Sequence, residues 1–563
     1  MLGVRTGPIF LGMYVRTTKR TNKDGSVVRY LQLAESVWDP EKQRSESRII
    51  HNLGREEEVD REAMRRLAKS ILRVSCPDDL ARLEAEGEAQ GEPIRIEWVK
   101  EYGGLHVLRA LWDRFGLGEE IRRVAADRPT AHALAEAAFL IVANRALAPE
   151  SKLGLYERWL QDVHWPQAQG IELHHLYLAL DLLASEKKAL EKAIFFQVAD
   201  LLSADVSLLF YDTTSVYFET EDEDELRRRG HSKDKRPDRP QVVVGLAVTR
   251  DGLPVKSWVW PGNTVDVTTI DEVKEDLAGW RLNRVVYVAD GGCISETNLE
   301  TLTRGGSGYI LGVPLDFSRE TAEVLGRPGR YRKVADNLEV KEVWIPSEAE
   351  EPVATRRRRY VVCRNPREAQ RQRERRAETL EALKEELAAL AKRQEDHPKA
   401  ACKLMASRRF GPYLRKDEQG HLSIDVERVR SEEKHEGKWL VLTNDPTLSA
   451  EDVATGYKEL LRIERSFRSL KHGIDIRPMY HRAEDRIRGH VQASVLALLL
   501  ERAAERETGQ RWNELRRTVE RQKMVAYEGS SGRVVQTTDL SPKHRKLLND
   551  LEITPPKLVH DVA

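Results

Sequence analysis

Over the first 55 residues apolar and polar positions alternate in short bursts: MYVRTTKR, then VVRYLQLAESV after the turn-forming pair Asp24-Gly25, then RSESRIIHNLG. A period of two bounded by turn residues predicts a small β meander. A charged helix is predicted next, from about Glu56 to Val74. Between Ile96 and about Leu202 the period lengthens to that of a helix, as in LHVLRALWDRFG, AHALAEAAFLIVANRAL and HHLYLALDLLAS. From Val206 strand-like runs return: VSLLFYDTTSVYFE, QVVVGLAVT and PVKSWVWPGN, then a helical stretch from Val267 to Leu277, then RVVYVAD and SGYILGV. VVYVA is continuous rather than alternating, which predicts a strand covered on both faces and central in an α/β sheet.

From about Leu315 to Asp452 the composition shifts. Strand-like VKEVWIP and RRRRYVVCRN lead into a long charged helix from about Pro366 to Asp396, and KWLVLTND closes the block. A helical excursion flanked by strands inside an α/β region predicts an insertion. A helix from about Ala450 to Lys471, the segment IDIRPMYHR, an apolar helix around HVQASVLALLLERAAE and a polar tail complete the chain. The expected division is a meander plus helix over 1–90, a helical domain over 91–203, an α/β domain in two parts over 204–315 and 451–500, an insertion over 316–450 and a helical tail over 501–563.

At 563 residues the chain exceeds one core, since single domains stay below about 250 residues. Lys plus Arg (92) balance Asp plus Glu (92), so any polyanion site has to come from local segregation of charge. Cys76, Cys293, Cys363 and Cys402 are widely spaced, which argues against a structural zinc or a disulfide framework and points to a reducing cytoplasm. Apolar runs such as VLALLL fall short of the roughly 20 residues that cross a bilayer. The expectation is a protein neither membrane-bound nor exported.

Three carboxylates interrupt this pattern informatively: Asp212 in LLFYDTTSVYFE, Asp290 in VVYVADGGCIS and Glu464 in YKELLRIERSFRSLKHG. Singly, each Asp is compatible with a turn or capping role at a strand end, but two on successive strands of one sheet suggest a shared site. Tyr457, Glu464 and Lys471 are spaced seven and seven, so on one helix they drift only about 20° per step and share a face. That face is either a solvated stripe or, with Arg462, Arg465, Arg468, Lys471 and His472 around a single acid, a metal ligand beside a polyanion. Three acids without His or Cys partners suit a hard cation such as Mg²⁺. Two such ions, with Mn²⁺ as a substitute, would serve phosphodiester cleavage or transfer.

The stretches YDTTSVYFE, SKDKRPDRPQVVVGLAV, WVWPGNTVD, VADGGCIS and YKELLRIERSFRSLKHGIDIRPMYHR with RIRGH together resemble a DDE transposase of the insertion-sequence-four superfamily, 1634 type. The resemblance implies a ribonuclease-H-like catalytic domain, interrupted by an insertion, with Asp212, Asp290 and Glu464 as the metal-binding triad. It further implies DNA phosphate contacts from Lys471 and Tyr457, with Arg462, Arg465 and Arg468 as neighbouring cations, and an aromatic, Trp260 or its strand neighbour Trp258, holding a flipped base, the alternative for at least one of the two being core packing. Two positions depart from the family pattern: Leu460 and Gly291 stand where arginines are expected.

Between Thr355 and Arg376 there are ten Arg and two Glu, and Arg356, Arg357, Arg358 and Arg359 are candidate DNA contacts, the alternative being internal salt bridges. The implied activity is cut-and-paste transposition: hydrolysis at the element's ends, then strand transfer into target DNA. The implied partners are double-stranded DNA, as terminal inverted repeats and target, and a second copy of the chain, in a prokaryotic, nucleoid-associated setting. A decayed DNA-end-binding protein and a general metal-dependent nuclease are the alternatives.

Overall fold

The three N-terminal bursts form the expected antiparallel meander, β1 (Met13–Thr21), β2 (Val27–Asp39) and β3 (Arg44–Arg55), followed by helix α1 (Arg61–Ser75). The computed structural model describes residues 13–21, 27–39, 44–55, 59, 61–76, 95–204, 207–280, 285–315, 319–346, 357–392, 397–417, 421–529 and 532–562. Two units are separable: Met1–Val107 with Leu160–Trp165 and Asn513–Ala563, and Leu108–Trp159 with Pro166–Trp512.

The region expected to be wholly helical opens instead on a strand, β4 (Arg95–Glu101). Five longer helices follow, α2 (Gly103–Arg114), α3 (Leu117–Val124), α4 (Ala131–Leu147), α5 (Leu173–Ser185) and α6 (Lys187–Leu201). Helix α4 is buried almost all round because it is apolar almost all round. Among the described residues no single helix is long and apolar enough to cross a membrane.

Beyond Leu208 the strand-like runs build one mixed sheet of nine strands. Its members are β5 (Leu208–Tyr217), β6 (Gln241–Thr249), β7 (Pro254–Pro261), β8 (Val286–Ala289), β9 (Gly308–Val313), β10 (Arg332–Ala335), β11 (Leu338–Pro346), β12 (Arg357–Arg364) and, later in the chain, β15 (Lys438–Thr443). The order across the sheet is β10-β11-β12-β15-β9-β8-β5-β6-β7. Only the central pairs β5–β8 and β8–β9 are parallel. Helices α7 (Ile270–Ala278) and α8 (Glu296–Thr303) cover one face, where Leu209, Tyr211, Tyr287, Ala289, Leu311 and Val313 pack with Ile270, Val273, Leu277, Leu299 and Leu302. A short helix, α9 (Arg319–Gly326), leads into β10.

Four strands of the block expected as an insertion, β10, β11, β12 and β15, thus belong to the central sheet. Val343, Ile345, Tyr360 and Val362 need the same apolar cover as the rest of it, and the edge of β9 takes β15, on which β12 and then β11 are laid. What leaves the sheet is the stretch between β12 and β15. It holds α10 (Pro366–Ala391), α11 (His397–Met405), the hairpin β13 (Leu414–Lys416) and β14 (Leu422–Ile424), and α12 (Val426–His435), around a small core of Leu383, Leu390, Ala401 and Leu404.

The expected single helix over 450–471 is two, α13 (Ala450–Lys458) and α14 (Leu461–His472), parted by a turn at Glu459-Leu460. Helix α15 (Glu484–Thr508) packs on α4, α5 and β7. The tail is not simply helical. Besides α16 (Trp512–Val519) and α17 (Pro542–Asp550) it contributes β16 (Lys523–Gly529), β17 (Gly532–Thr537) and β18 (Val559–Val562), which form a four-stranded sheet with β4. Met524, Ala526 and Val535 alternate onto one side of that sheet against Trp98 and Tyr102, a one-sided period too short to stand out in a polar tail.

Candidate active site

Asp212 breaks an otherwise buried run inside β5. Leu208, Leu209 and Phe210 pair with Val286, Tyr287 and Val288 of the parallel neighbour β8. Two further steps along each strand bring Asp212 alongside Asp290. Because side chains alternate, Asp212 points away from the face that carries Leu209 and Tyr211. Asp290 also caps the short turn after β8, its Oδ1 accepting from the Gly291 N–H at 2.7 Å. A Cβ on Gly291 would lie 2.8 Å from the Gly312 carbonyl oxygen and 2.8 Å from Pro314 Cδ. The turn that places Asp290 therefore excludes any larger residue, the expected arginine included.

Helix α13 packs over β8 and β9, and α14 over β5 and β6. The Tyr457 hydroxyl donates to Asp290 Oδ1 at 3.4 Å. Its ring lies on the bare backbone of Gly312, where a Cβ would come 2.6 Å from Tyr457 Cε2. Burial raises the Tyr457 hydroxyl above its usual range, and the charges of Asp290, Glu464 and Asp212 raise it further. All three predicted acids thus act on one hydroxyl. Glu464 itself is exposed on the first turn of α14, and Leu460, in the place of the expected arginine, is half-buried in the turn before it.

Burial pushes the Asp212 carboxyl up to about 6, and the carboxylates of Asp266 and Asp290 add to the rise, while Lys233 and the Thr213 N–H pull it down. The same acids, with burial first, push the Cys293 thiol up to about 12. Asp266, Lys233 and Gly312 were not singled out by the sequence reading. Asp266 lies in WVWPGNTVD and Lys233 in SKDKRPDRPQ, where nothing in their spacing sets them apart from surface charge. Lys233 Nζ sits 3.2 Å from Asp266 Oδ2 and 3.7 Å from Asp212 Oδ1, and Thr213 Oγ1 donates to Asp266 Oδ1.

The other predicted contacts divide. Arg465 and Arg468 are exposed on α14, and Arg462 is 3.7 Å from Glu459. Lys471, expected at a DNA phosphate, is instead mostly buried in an ion pair with Asp234 at 2.7 Å. Trp260, expected to hold a flipped base, is 9% exposed, stacks on Trp258 and donates its indole N–H to Glu272 at 2.6 Å. Its face is therefore spent on core packing. In the basic run, Arg356 lies outside the described residues and Arg357 opens β12. Arg358 pairs with Glu296 at 2.6 Å and Glu320 at 3.0 Å. Arg359 is buried, donating to Glu342 and to the carbonyls of Asp445 and Leu448. Acids and carbonyls of other elements of the fold pair with these two guanidiniums.

The transposase DDE domain model matches residues 205–500, more than half of the chain, and the model for the N-terminal domain of IS1634 family transposases matches residues 15–79. The chain belongs to the IS1634-type DDE transposases. No curated protein matches it. Among solved structures, the cryo-EM structure of a piggyBac transposase synaptic complex with hairpin DNA is similar at 8% identity, covering 72% of this chain and 78% of that one, with a TM-score of 0.35. So loose a likeness carries no argument.

DDE transposases act on DNA and are metal-dependent, generally with Mg²⁺ or Mn²⁺. In this transposase Asp212, Asp290 and Glu464 offer oxygen alone, the donor type such an ion takes; the upward push on Asp212 comes first from burial, with Asp266 and Asp290 adding to it. Among the described residues no three acidic, His or Cys side chains stand as a closed ligand set.

Proposed function

We propose that this transposase cuts phosphodiester bonds at the ends of its element and joins the freed 3′ hydroxyls to target DNA, on a ribonuclease-H-like domain. The observation that carries the reading is the parallel register of β5 against β8, with Leu208, Leu209 and Phe210 opposite Val286, Tyr287 and Val288, which puts Asp212 level with Asp290 just past the end of β8, while the charge of Glu464 bears on the same Tyr457 hydroxyl as theirs. Asp212, Asp290 and Glu464 would hold the divalent ions. Bound there, such ions activate the attacking oxygen and offset charge on the departing one.

The chain's own groups position that chemistry. Tyr457 orients the Asp290 carboxylate through its hydroxyl, and Gly312 and Gly291 keep the backbone close enough for both. Exposed Arg465 and Arg468, one and four residues beyond Glu464, offer cations to the phosphate backbone. The meander and α1 read the terminal repeats, and a second copy carries the other end, in the cytoplasm beside the nucleoid.

The test follows cleavage of labelled DNA bearing the element's two ends, with Mg²⁺, with Mn²⁺, with EDTA and for Asp290→Asn. Cuts confined to the ends, dependent on metal and lost on substitution are the expected result. End binding without cutting would make the chain a binding protein, and equal cutting of unrelated DNA would make it a general nuclease.

A further inference from the structure

We infer that the dipeptide Lys233-Asp234 is a positioning clamp that ties the strand carrying Asp212 to the helix carrying Glu464. The inference rests on the reading of those acids as the reacting site. The break at Glu459-Leu460 is its starting point: with α13 and α14 separate, no continuous helix transmits the pose of Tyr457 to Glu464, and α14 needs its own anchor.

The anchor comes from the loop between β5 and β6. On one side, the Lys233 N–H donates to Ser215 Oγ at 2.8 Å, which pins the loop to β5. Lys233 Nζ donates to the Thr213 carbonyl at 2.9 Å, to Thr213 Oγ1 at 2.8 Å and to Asp266 Oδ2 at 3.2 Å. An ammonium has three protons, and these acceptors take all three, so Lys233 braces the residue next to Asp212 and has no donor left for a phosphate. On the other side, the Asp234 side chain is 3% exposed, and its Oδ1 lies 2.7 Å from Lys471 Nζ and 3.1 Å from Arg477 Nε. Lys471 stands two turns beyond Glu464 on α14, and Arg477 belongs to the segment whose Met479 N–H donates to the Tyr217 carbonyl at 3.0 Å, back at the end of β5.

A buried carboxylate shared by two cations holds its geometry, because removing one partner strands the others without compensation. Two adjacent side chains of opposite charge thereby link β5, next to Asp212, through Thr213, Lys233, Asp234 and Lys471 to the helix that carries Glu464. This assigns Lys471 to holding the site together, where its spacing suggests a DNA phosphate.

The test uses the full chain and three measurements: Mn²⁺ affinity of the free protein by electron paramagnetic resonance, affinity for end DNA in EDTA across a salt series, and end cleavage. Asp234→Asn and Lys471→Met are each expected to weaken Mn²⁺ binding by about tenfold or more, with no further loss in the double variant and with DNA affinity and its salt dependence unchanged. Asp234→Glu, which keeps the charge, is expected to recover part of the Mn²⁺ affinity, which a merely misfolded Asn variant would not explain. Wild-type Mn²⁺ affinity in Asp234→Asn, in a preparation where Asp212→Asn does lose it, would overturn the clamp alone. So would weaker end binding in Lys471→Met with a salt slope lower by about one, the mark of a phosphate contact. If wild type and Asp212→Asn bind Mn²⁺ equally poorly, the reading of the acids fails and the clamp falls with it.

Discussion

Gly312→Ala is a one-methyl test of how Tyr457 reaches the second acid. The new Cβ would stand 2.6 Å from Tyr457 Cε2, and nearer still to Cζ and the hydroxyl oxygen. Ordinary contact needs about 3.5 Å, so the ring has to withdraw by roughly 1 Å, enough to break a hydroxyl–carboxylate bond that is already 3.4 Å long. Overpacking of this kind costs about 1–3 kcal/mol, and the lost bond to a charged acceptor adds about 1 kcal/mol at that length. Urea unfolding followed by tryptophan fluorescence reads the stability, and end cleavage reads the site, where loss of a supporting hydrogen bond predicts a drop of about tenfold or more. The decisive comparison is the cycle with Tyr457→Ala. Once the ring is gone the methyl has room, so Gly312→Ala should then cost almost nothing, an interaction of about 2 kcal/mol between the two changes. An undiminished penalty in the Tyr457→Ala background, or wild-type cleavage by Gly312→Ala, would refute the argument.

Other expectations follow from the same geometry. Gly291→Arg, which supplies the residue the family pattern expects, should abolish cleavage rather than improve it, since even a Cβ meets Gly312 and Pro314 at 2.8 Å; cleavage at or above wild type would count against the steric account. Arg359→Met should destabilise the fold by about 3 kcal/mol, because Glu342 and the carbonyls of Asp445 and Leu448 lose their donor, while the salt slope of end binding stays unchanged in a filter-binding series. Trp260→Ala should cost about 3–5 kcal/mol in urea unfolding, as for a buried tryptophan, whereas Trp260→Phe should retain end cleavage; loss of cleavage in the Phe variant at full stability would restore a base-holding role. His481 is pushed down to about 3 by burial and by Lys152, Arg486 and Arg145. Below pH 6.5 the unfolded chain therefore binds a proton that the folded chain refuses, and stability falls as pH drops from there toward 3, by at most about 1.4 kcal/mol per pH unit. His481→Asn should make the stability profile less steep over that window, where buried His490, pushed down as well, also contributes, and an unchanged slope would dismiss the assignment.

Asp212 and Asp290 are legible in the sequence because each breaks or ends a run that is otherwise apolar, and a carboxylate there needs a reason. Their side-by-side register is not legible, since it depends on which strands pair, and β6 and β7 intervene in the chain between β5 and β8. Lys233 and Asp266 hide for the opposite cause: both sit in polar stretches where Lys and Asp are ordinary, and only the fold brings them within 3.2 Å. The seven-residue spacing of Tyr457, Glu464 and Lys471 reads as one helical stripe, yet the chain turns at Glu459-Leu460, so the first interval spans two helices. Periodicity carries no signal for a break when both neighbours have helical periods. The ion pairs of Arg358 and Arg359 are not legible in the basic run because Glu296, Glu320 and Glu342 come from other elements.

Strands β12 and β15 are direct antiparallel partners, and Arg364 stands opposite Lys438 in their ladder. Everything from residue 365 to 437 therefore leaves and re-enters the sheet at the two rungs of a single hairpin, closed by the Asn365 N–H on the Gly437 carbonyl at 2.7 Å. Lengthening a hairpin's loop adds a closure cost that grows only with the logarithm of its length, and the rungs themselves do not move. An appendage held in this way can be traded, enlarged or trimmed over evolutionary time while the acids on β5, just after β8 and on α14 keep their registration. It is a socket in the architecture, and exchanging its contents for a short turn is the natural route to a smaller enzyme with the same chemistry.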